Sequence, residues 1–124
     1  MRVLIVDADE AFRTNLATQL SRRGVQVSVT DDGDQAGTMA CSKKVDAVLL
    51  GVSCHDRSLV ANVGRVRKAC PRAEVILINH SGDVPLSIEA MKMGAFAELA
   101  APVDMEELEN GLRLIRKKGG RSGR

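Results

Sequence analysis

The sequence predicts an α/β domain built on a doubly wound, five-stranded parallel sheet with helices on both faces. Three observations carry that prediction. Continuous apolar runs recur along the chain: Val3-Leu4-Ile5-Val6, Ala47-Val48-Leu49-Leu50 and Val75-Ile76-Leu77-Ile78. Strands covered on both faces need such runs, because neither face meets water. Between the runs lie stretches with apolar residues at helical spacing. Strand and helix patterns alternate from end to end, as β/α units joined by right-handed crossovers do.

Each element follows from local pattern. After the first strand, Phe12, Leu16 and Leu20 mark a helix that stops near Gly24. Val25, Val27 and Val29 then alternate with polar residues, as a strand wet on one face would. Asp31-Asp32-Gly33 breaks the chain before a short, weak helix over 35–43, and Ala47–Leu50 forms the third strand. Val60, Val63 and Val66 mark a helix ending before Pro71, and the fourth strand is Val75–Ile78. A helix from about Val84 to Met93 ends at Gly94, which suits a left-handed C-cap. Phe96–Ala100 is a short fifth strand before Pro102. Asp104 and Glu107 then sit as cap and capping-box partner of a last helix whose buried stripe is Met105, Leu108, Leu112 and Ile115. Its first turn is acidic and its last basic, in accord with the helix dipole.

The flavodoxin-like strand order 2-1-3-4-5 puts the alternating strand at an edge and the three continuous runs at the centre. In such a sheet the functional crevice lies beyond the carboxyl ends of strands 1 and 3, where the order reverses. Attention therefore falls on residues 7–10, 51–56, 79–83 and 100–102.

With 124 residues, 44% apolar and 27% charged, the chain is one domain's worth. No apolar run approaches the roughly 20 residues of a membrane helix, and the first strand begins at once, so neither membrane nor signal segment is expected. Three cysteines, Cys41, Cys54 and Cys70, form no CxxC pair, and a reduced, cytoplasmic setting is expected. Six of the 18 basic residues are Arg113, Arg116, Lys117, Lys118, Arg121 and Arg124, and no acid follows Glu109. The remaining twelve bases face 16 acids, so residues 1–112 carry a net charge of −4. Without aromatic residues interleaved in the basic stretch, nucleic-acid binding by this domain alone is not expected.

Three segments, VLIVDADEAFR at 3–13, VDAVLL at 45–50 and VILINHSGDVPLSIEAMKMGAFAELAAPVD at 75–104, resemble the receiver domain of bacterial two-component response regulators. With the element spacing, the resemblance spans about residues 1–116. It implies a receiver-like domain over 1–117 and a basic, Gly-rich tail or linker over 118–124. The family's chemistry uses a strand-3 aspartate as phosphoryl acceptor, an acid pair holding Mg²⁺, a lysine before a proline, a hydroxyl ending strand 4 and an aromatic in strand 5. In that alignment the acceptor position is Gly51 and the acid pair is Asp7-Ala8. The hydroxyl position is Asn79, the aromatic Glu98 and the lysine Ala101, while Pro102 remains.

The resemblance therefore implies a degenerate receiver that works by protein contact, with no catalytic residue, no cofactor and weak or absent Mg²⁺ binding. It also implies a cis Ala101–Pro102 bond. Asp46 lies about 16 Å along the strand from the acceptor position, at ~3.3 Å per residue. Ser53 has no evident base, and Asp56 is a loop acid. Restoring Asp at 8 and 51 together with Lys at 101 is expected to restore an acyl phosphate.

A rival reading is a small-ligand or metal sensor that uses the vacated pocket, and others rest on further residues. Cys54, His55 and His80 beside Asp7 are a donor set that Zn²⁺ would accept, though without metal-site spacing, and Cys54 is a candidate redox thiol. The GGRSG end is linker-like, as before a DNA-binding output domain. The fourth helix carries two apolar stripes. Val84, Ile88 and Met91 are expected to dock on the sheet. Leu86, Ala90 and Met93, with Leu114 of the last helix, are expected to form an exposed surface for a protein partner or a second copy.

Overall fold

The computed structural model describes residues 1–53, 58–82 and 84–122, with side chains described through residue 119. The elements are β1 (Arg2–Val6), α1 (Glu10–Arg22), β2 (Gln26–Thr30), α2 (Ala36–Ser42), β3 (Ala47–Val52), α3 (Ala61–Ala69), β4 (Glu74–Asn79), α4 (Val84–Lys92), β5 (Ala97–Ala100) and α5 (Met105–Ser122). The strands form one parallel sheet in the order β2-β1-β3-β4-β5.

Because strand side chains alternate faces, the apolar runs divide into two cores. Leu4, Val48, Leu50, Val75 and Leu77 pack with Ala36, Ala40, Val63, Val66, Leu86 and Ala90, the inner residues of α2, α3 and α4. Val3, Ile5, Leu49, Ile76 and Ile78 pack with Leu16 and Leu20 of α1 and Leu108, Leu112 and Ile115 of α5. The α5 stripe is therefore the expected one, and Asp104 caps it by accepting from the Glu106 and Glu107 amides at 2.9 and 3.4 Å. Val25, just before β2, and Val27 within it join the second core, but Val29 turns to solvent.

The fourth helix sits the other way round from the expectation. Leu86 and Ala90 are fully buried and Met93 packs beside them, whereas Val84, Ile88 and Met91 are 66%, 52% and 47% exposed. Leu86, Ala90 and Met93 are core and not a partner surface. With apolar residues on opposite sides, periodicity alone could not choose the inner face. The small Ala90 lets the helix approach the sheet, and Ser87 on the same side has polar partners to reach. Gly94, at φ +103°, closes the helix as expected. Leu114 is 57% exposed, as expected.

The last helix runs beyond the anticipated domain end at 117, to Ser122. Lys118 is tied into the domain: its ammonium binds Glu74 Oε2 and lies 5.8 Å from the centroid of the Phe96 ring. Glu74 is buried at the start of β4 and also pairs with Arg67 Nη1 at 3.0 Å. Arg67 in turn donates to the carbonyls of Pro71 and Ala73. A buried carboxylate with two cations thus joins β4, α3 and α5. Removing one partner of a buried pair costs about 3–5 kcal/mol, less where the partners reach water. Since Lys118 is half exposed, Glu74→Gln should lower stability by about 1–3 kcal/mol in urea unfolding with an unchanged slope. A loss below about 0.5 kcal/mol would mark the cluster as an ordinary surface pair.

Candidate functional site

The carboxyl ends of β1, β3 and β4 converge where the strand order reverses. Asp7 follows β1, Gly51 lies near the end of β3 and Asn79 ends β4, with His80 next in the chain. Asp7 is only 4% exposed. Its Oδ1 accepts from the Asp9 amide at 2.9 Å, and its Oδ2 lies 2.7 Å from His80 Nε2. An ionised carboxylate only accepts, so Nε2 is the donor. The Asp7 carbonyl takes Arg13 Nη1 at 2.6 Å. His80 is fixed by its amide bond to the Val52 carbonyl at 2.9 Å and by the edge of Phe12, with ring centroids 4.6 Å apart.

Gly51 is not simply a position that lacks a side chain. A Cβ built there would stand 1.9 Å from Asp7 Oδ2, 2.6 Å from Asp7 Cγ and 3.1 Å from His80 Nε2. The Asp7 carboxylate occupies the space over Gly51, and the His80 ring closes it from the side. This inward placement of Asp7 is possible only above a glycine.

Asn79, fully enclosed, organises the next loop. Its carbonyl oxygen accepts from the Ser81 amide at 3.0 Å, the Ser81 hydroxyl at 2.8 Å and the Gly82 amide at 3.1 Å. Its amide donates to Ser87 Oγ at 3.0 Å, and Ser87 donates to Glu98 Oε2. The hydroxyl and aromatic positions of the receiver pattern, Asn79 and Glu98, are thereby wired together through α4. The Ala101–Pro102 bond is cis, as expected, and Ala101 packs against the α1/α5 core, while Ala8 points to solvent.

The residues present do not fit the family's Mg²⁺. The ion wants several oxygen ligands in near-octahedral geometry. Asp7 commits both oxygens within the protein, Ala8 offers no ligand, and Gly51 offers no carboxylate. Among the described residues no three His, Cys, Asp or Glu side chains are grouped to hold a metal. Cys54, His55 and Asp56, candidates for a metal site, a redox thiol or a substitute acceptor, lie outside the described residues, as does Asp83.

The sequence pattern points to Asp7, Gly51, Asn79, Glu98 and Ala101 but not to what joins them. It offers His80 only as a metal ligand, and it gives no hint of Ser87 as a bridge. One signal was available: a bulky ring directly after β4 faces a β3 position with no side chain.

The family model of the response regulator receiver domain matches residues 3–113. The photosynthetic apparatus regulatory protein RegA of Rhodobacter capsulatus is 26% identical over 89% of this chain and 60% of its own length. The C4-dicarboxylate transport transcriptional regulatory protein DctD of Pseudomonas aeruginosa is 29% identical over 90% of this chain and 24% of its own. The chain thus spans from about a quarter to three-fifths of these curated relatives. Among solved structures, the signal receiver domain of a modulated diguanylate cyclase from Desulfovibrio desulfuricans G20 is 26% identical, with TM-score 0.84 over 98% of this chain and 97% of that one. A CheY-like receiver domain protein from Methanospirillum hungatei JF-1, 18% identical, shares the fold with TM-score 0.87 over 98% and 97% of the two chains. Fold, crevice and matched segments together place this chain in the response regulator receiver domain family.

Proposed function

We propose that this chain is a receiver module that signals by protein contact and is not phosphorylated. The observation that carries this reading is the filled space over Gly51, the position that the receiver resemblance gives to the acceptor: Asp7 and His80 stand where a side chain there would go. The test is intact mass spectrometry after incubation with acetyl phosphate and Mg²⁺. The wild-type mass should not change. An adduct released by hydroxylamine would overturn the reading, with Asp56 the first residue to suspect.

Mg²⁺ should bind weakly or not at all. Titration to millimolar levels should leave the amide resonances of Asp7, Gly51 and Asn79 in place. Saturable shifts there would mean that Asp7 gives up His80 for the ion.

The contact surface proposed is the set of exposed apolar residues flanking the β5 edge: Val84, Ile88 and Met91 on α4, with Leu114 on α5. Folding leaves these side chains in water, and covering them by a protein partner or a second copy removes that cost. A further reading, that the domain regulates a longer transcription factor, is favoured by the 24% of DctD and 22% of the Azospirillum brasilense regulator NtrC that the chain covers. Among the described residues no helix is long and apolar enough to cross a membrane.

A further inference from the structure

Two thiols meet where α2 and α3 end, at the opposite end of the strands from Asp7 and His80. The helices approach closely there: a Cβ on Gly37 would stand 3.2 Å from Ala69 Cβ. Cys41 lies one turn beyond Gly37 on the same face of α2. Its Sγ–H donates to the Ala69 carbonyl at 2.8 Å. The next residue, Cys70, closes α3, its amide bonded to the Val66 carbonyl at 2.8 Å. Cys41 Sγ thus lies against the residue that directly precedes Cys70 in the chain. The two thiols differ in access, since Cys41 is exposed and Cys70 is buried in the core that α2 and α3 share.

We propose that Cys41 and Cys70 form a redox-modification site, where a peroxide closes an intramolecular disulfide between the ends of α2 and α3. The Cys41 thiolate attacks one peroxide oxygen, the O–O bond breaks and water leaves, giving Cys41 sulfenic acid. The Cys70 sulfur then attacks the Cys41 sulfur. The S–O bond breaks, and the departing hydroxide leaves as water with the Cys70 proton. Two thiols lose two hydrogens, and one hydrogen peroxide becomes two waters. Exposure makes Cys41 the thiol that meets the oxidant, and burial makes Cys70 the one that resolves it.

The hydrogen bond with Cys70, then burial and the charge of Cys70, hold the Cys41 thiol above its ordinary pKa. Only the thiolate attacks, so the rate should climb by up to about tenfold per pH unit below that pKa. The site therefore answers to sustained oxidant and not to traces of it. None of this depends on the state of Asp7, Gly51 or His80.

The test treats the whole protein with hydrogen peroxide, blocks free thiols with N-ethylmaleimide in denaturant, and digests with trypsin without reductant. Cleavage after Lys43, Arg57 and Lys68 puts the three cysteines on separate peptides. A peptide joining Cys41 to Cys70 within one chain, lost on adding dithiothreitol and formed faster at higher pH, is the expected result. In Cys70→Ser protein, Cys41 should instead advance to sulfinic acid. The proposal is overturned if wild-type Cys41 stops at its own oxides beside an unmodified Cys70. It is equally overturned if Cys41 joins Cys54 or a second chain.

Discussion

Gly51→Asp should yield a protein that is less stable and still cannot be phosphorylated. Even a methyl group at this position would fall 1.9 Å from Asp7 Oδ2, so Asp7 must leave its place and His80 must lose its partner. Overpacking of this kind costs about 1–3 kcal/mol, and two carboxylates sharing a small site add repulsion. A loss of about 2–4 kcal/mol in urea unfolding is expected. Phosphoryl transfer is mostly positioning and electrostatic stabilisation, and neither is supplied by the new carboxylate alone.

Adding Ala8→Asp and Ala101→Lys supplies the metal acid and the cation, which the sequence alone would call sufficient. The geometry adds a fourth requirement, because the His80 ring still holds Asp7 over the acceptor. The variant that should gain a hydroxylamine-labile adduct from acetyl phosphate therefore also carries His80→Ala. Equal labelling of the triple and quadruple variants would show that His80 does not close the site.

The two faces of α4 should respond in opposite ways to the same substitution. Leu86→Ser removes a fully buried side chain from the α2–α4 core. Loss of such a leucine costs about 2–5 kcal/mol, and a hydroxyl with no partner adds about 1–3. The combined loss of about 3–8 kcal/mol is a large share of a domain's whole stability of about 5–15 kcal/mol, and the urea midpoint should fall in proportion. Ile88→Ser, two residues along on the wet side, should change stability by no more than about 0.5 kcal/mol. With Leu114→Ser it should lower self-association, measured by sedimentation, or capture of the partner. Unfolding of the Ile88→Ser protein would mean that α4 turns Ile88, and not Leu86, towards the sheet.

The fold was legible because its signals are collective. Three apolar runs and an alternating edge fix the sheet order, and errors in any one residue average out. The buried stripe of α5 was legible for the same reason, since most of the residues off it are charged, Leu114 being an apolar exception. On α4 the signal cancels, since apolar residues lie on both sides and the inner one is chosen by Ala90 and Ser87 against a sheet not yet in view. The site was half legible. The receiver resemblance draws attention to Gly51 and Ala101, but the pairing of Asp7 with His80 joins residues 73 apart in sequence. Asn79 likewise reads as a lost hydroxyl until its carbonyl is seen accepting from the Ser81 and Gly82 amides.

The chain from Asn79 through Ser87 to Glu98 also bears on how output can be controlled. An allosteric switch is a coupling free energy between two sites, and it vanishes when one of them has no ligand to take up. If the domain works as proposed, the crevice that Asp7 and His80 fill takes no phosphoryl group, and one end of that coupling has nothing to respond to. On that reading a partner would meet one conformer with one affinity. Occupancy of the complex then follows mass action alone, set by how much of each protein is present and not by the state of either. A module of the proposed kind would meter abundance, governed by synthesis and degradation on the timescale of protein turnover.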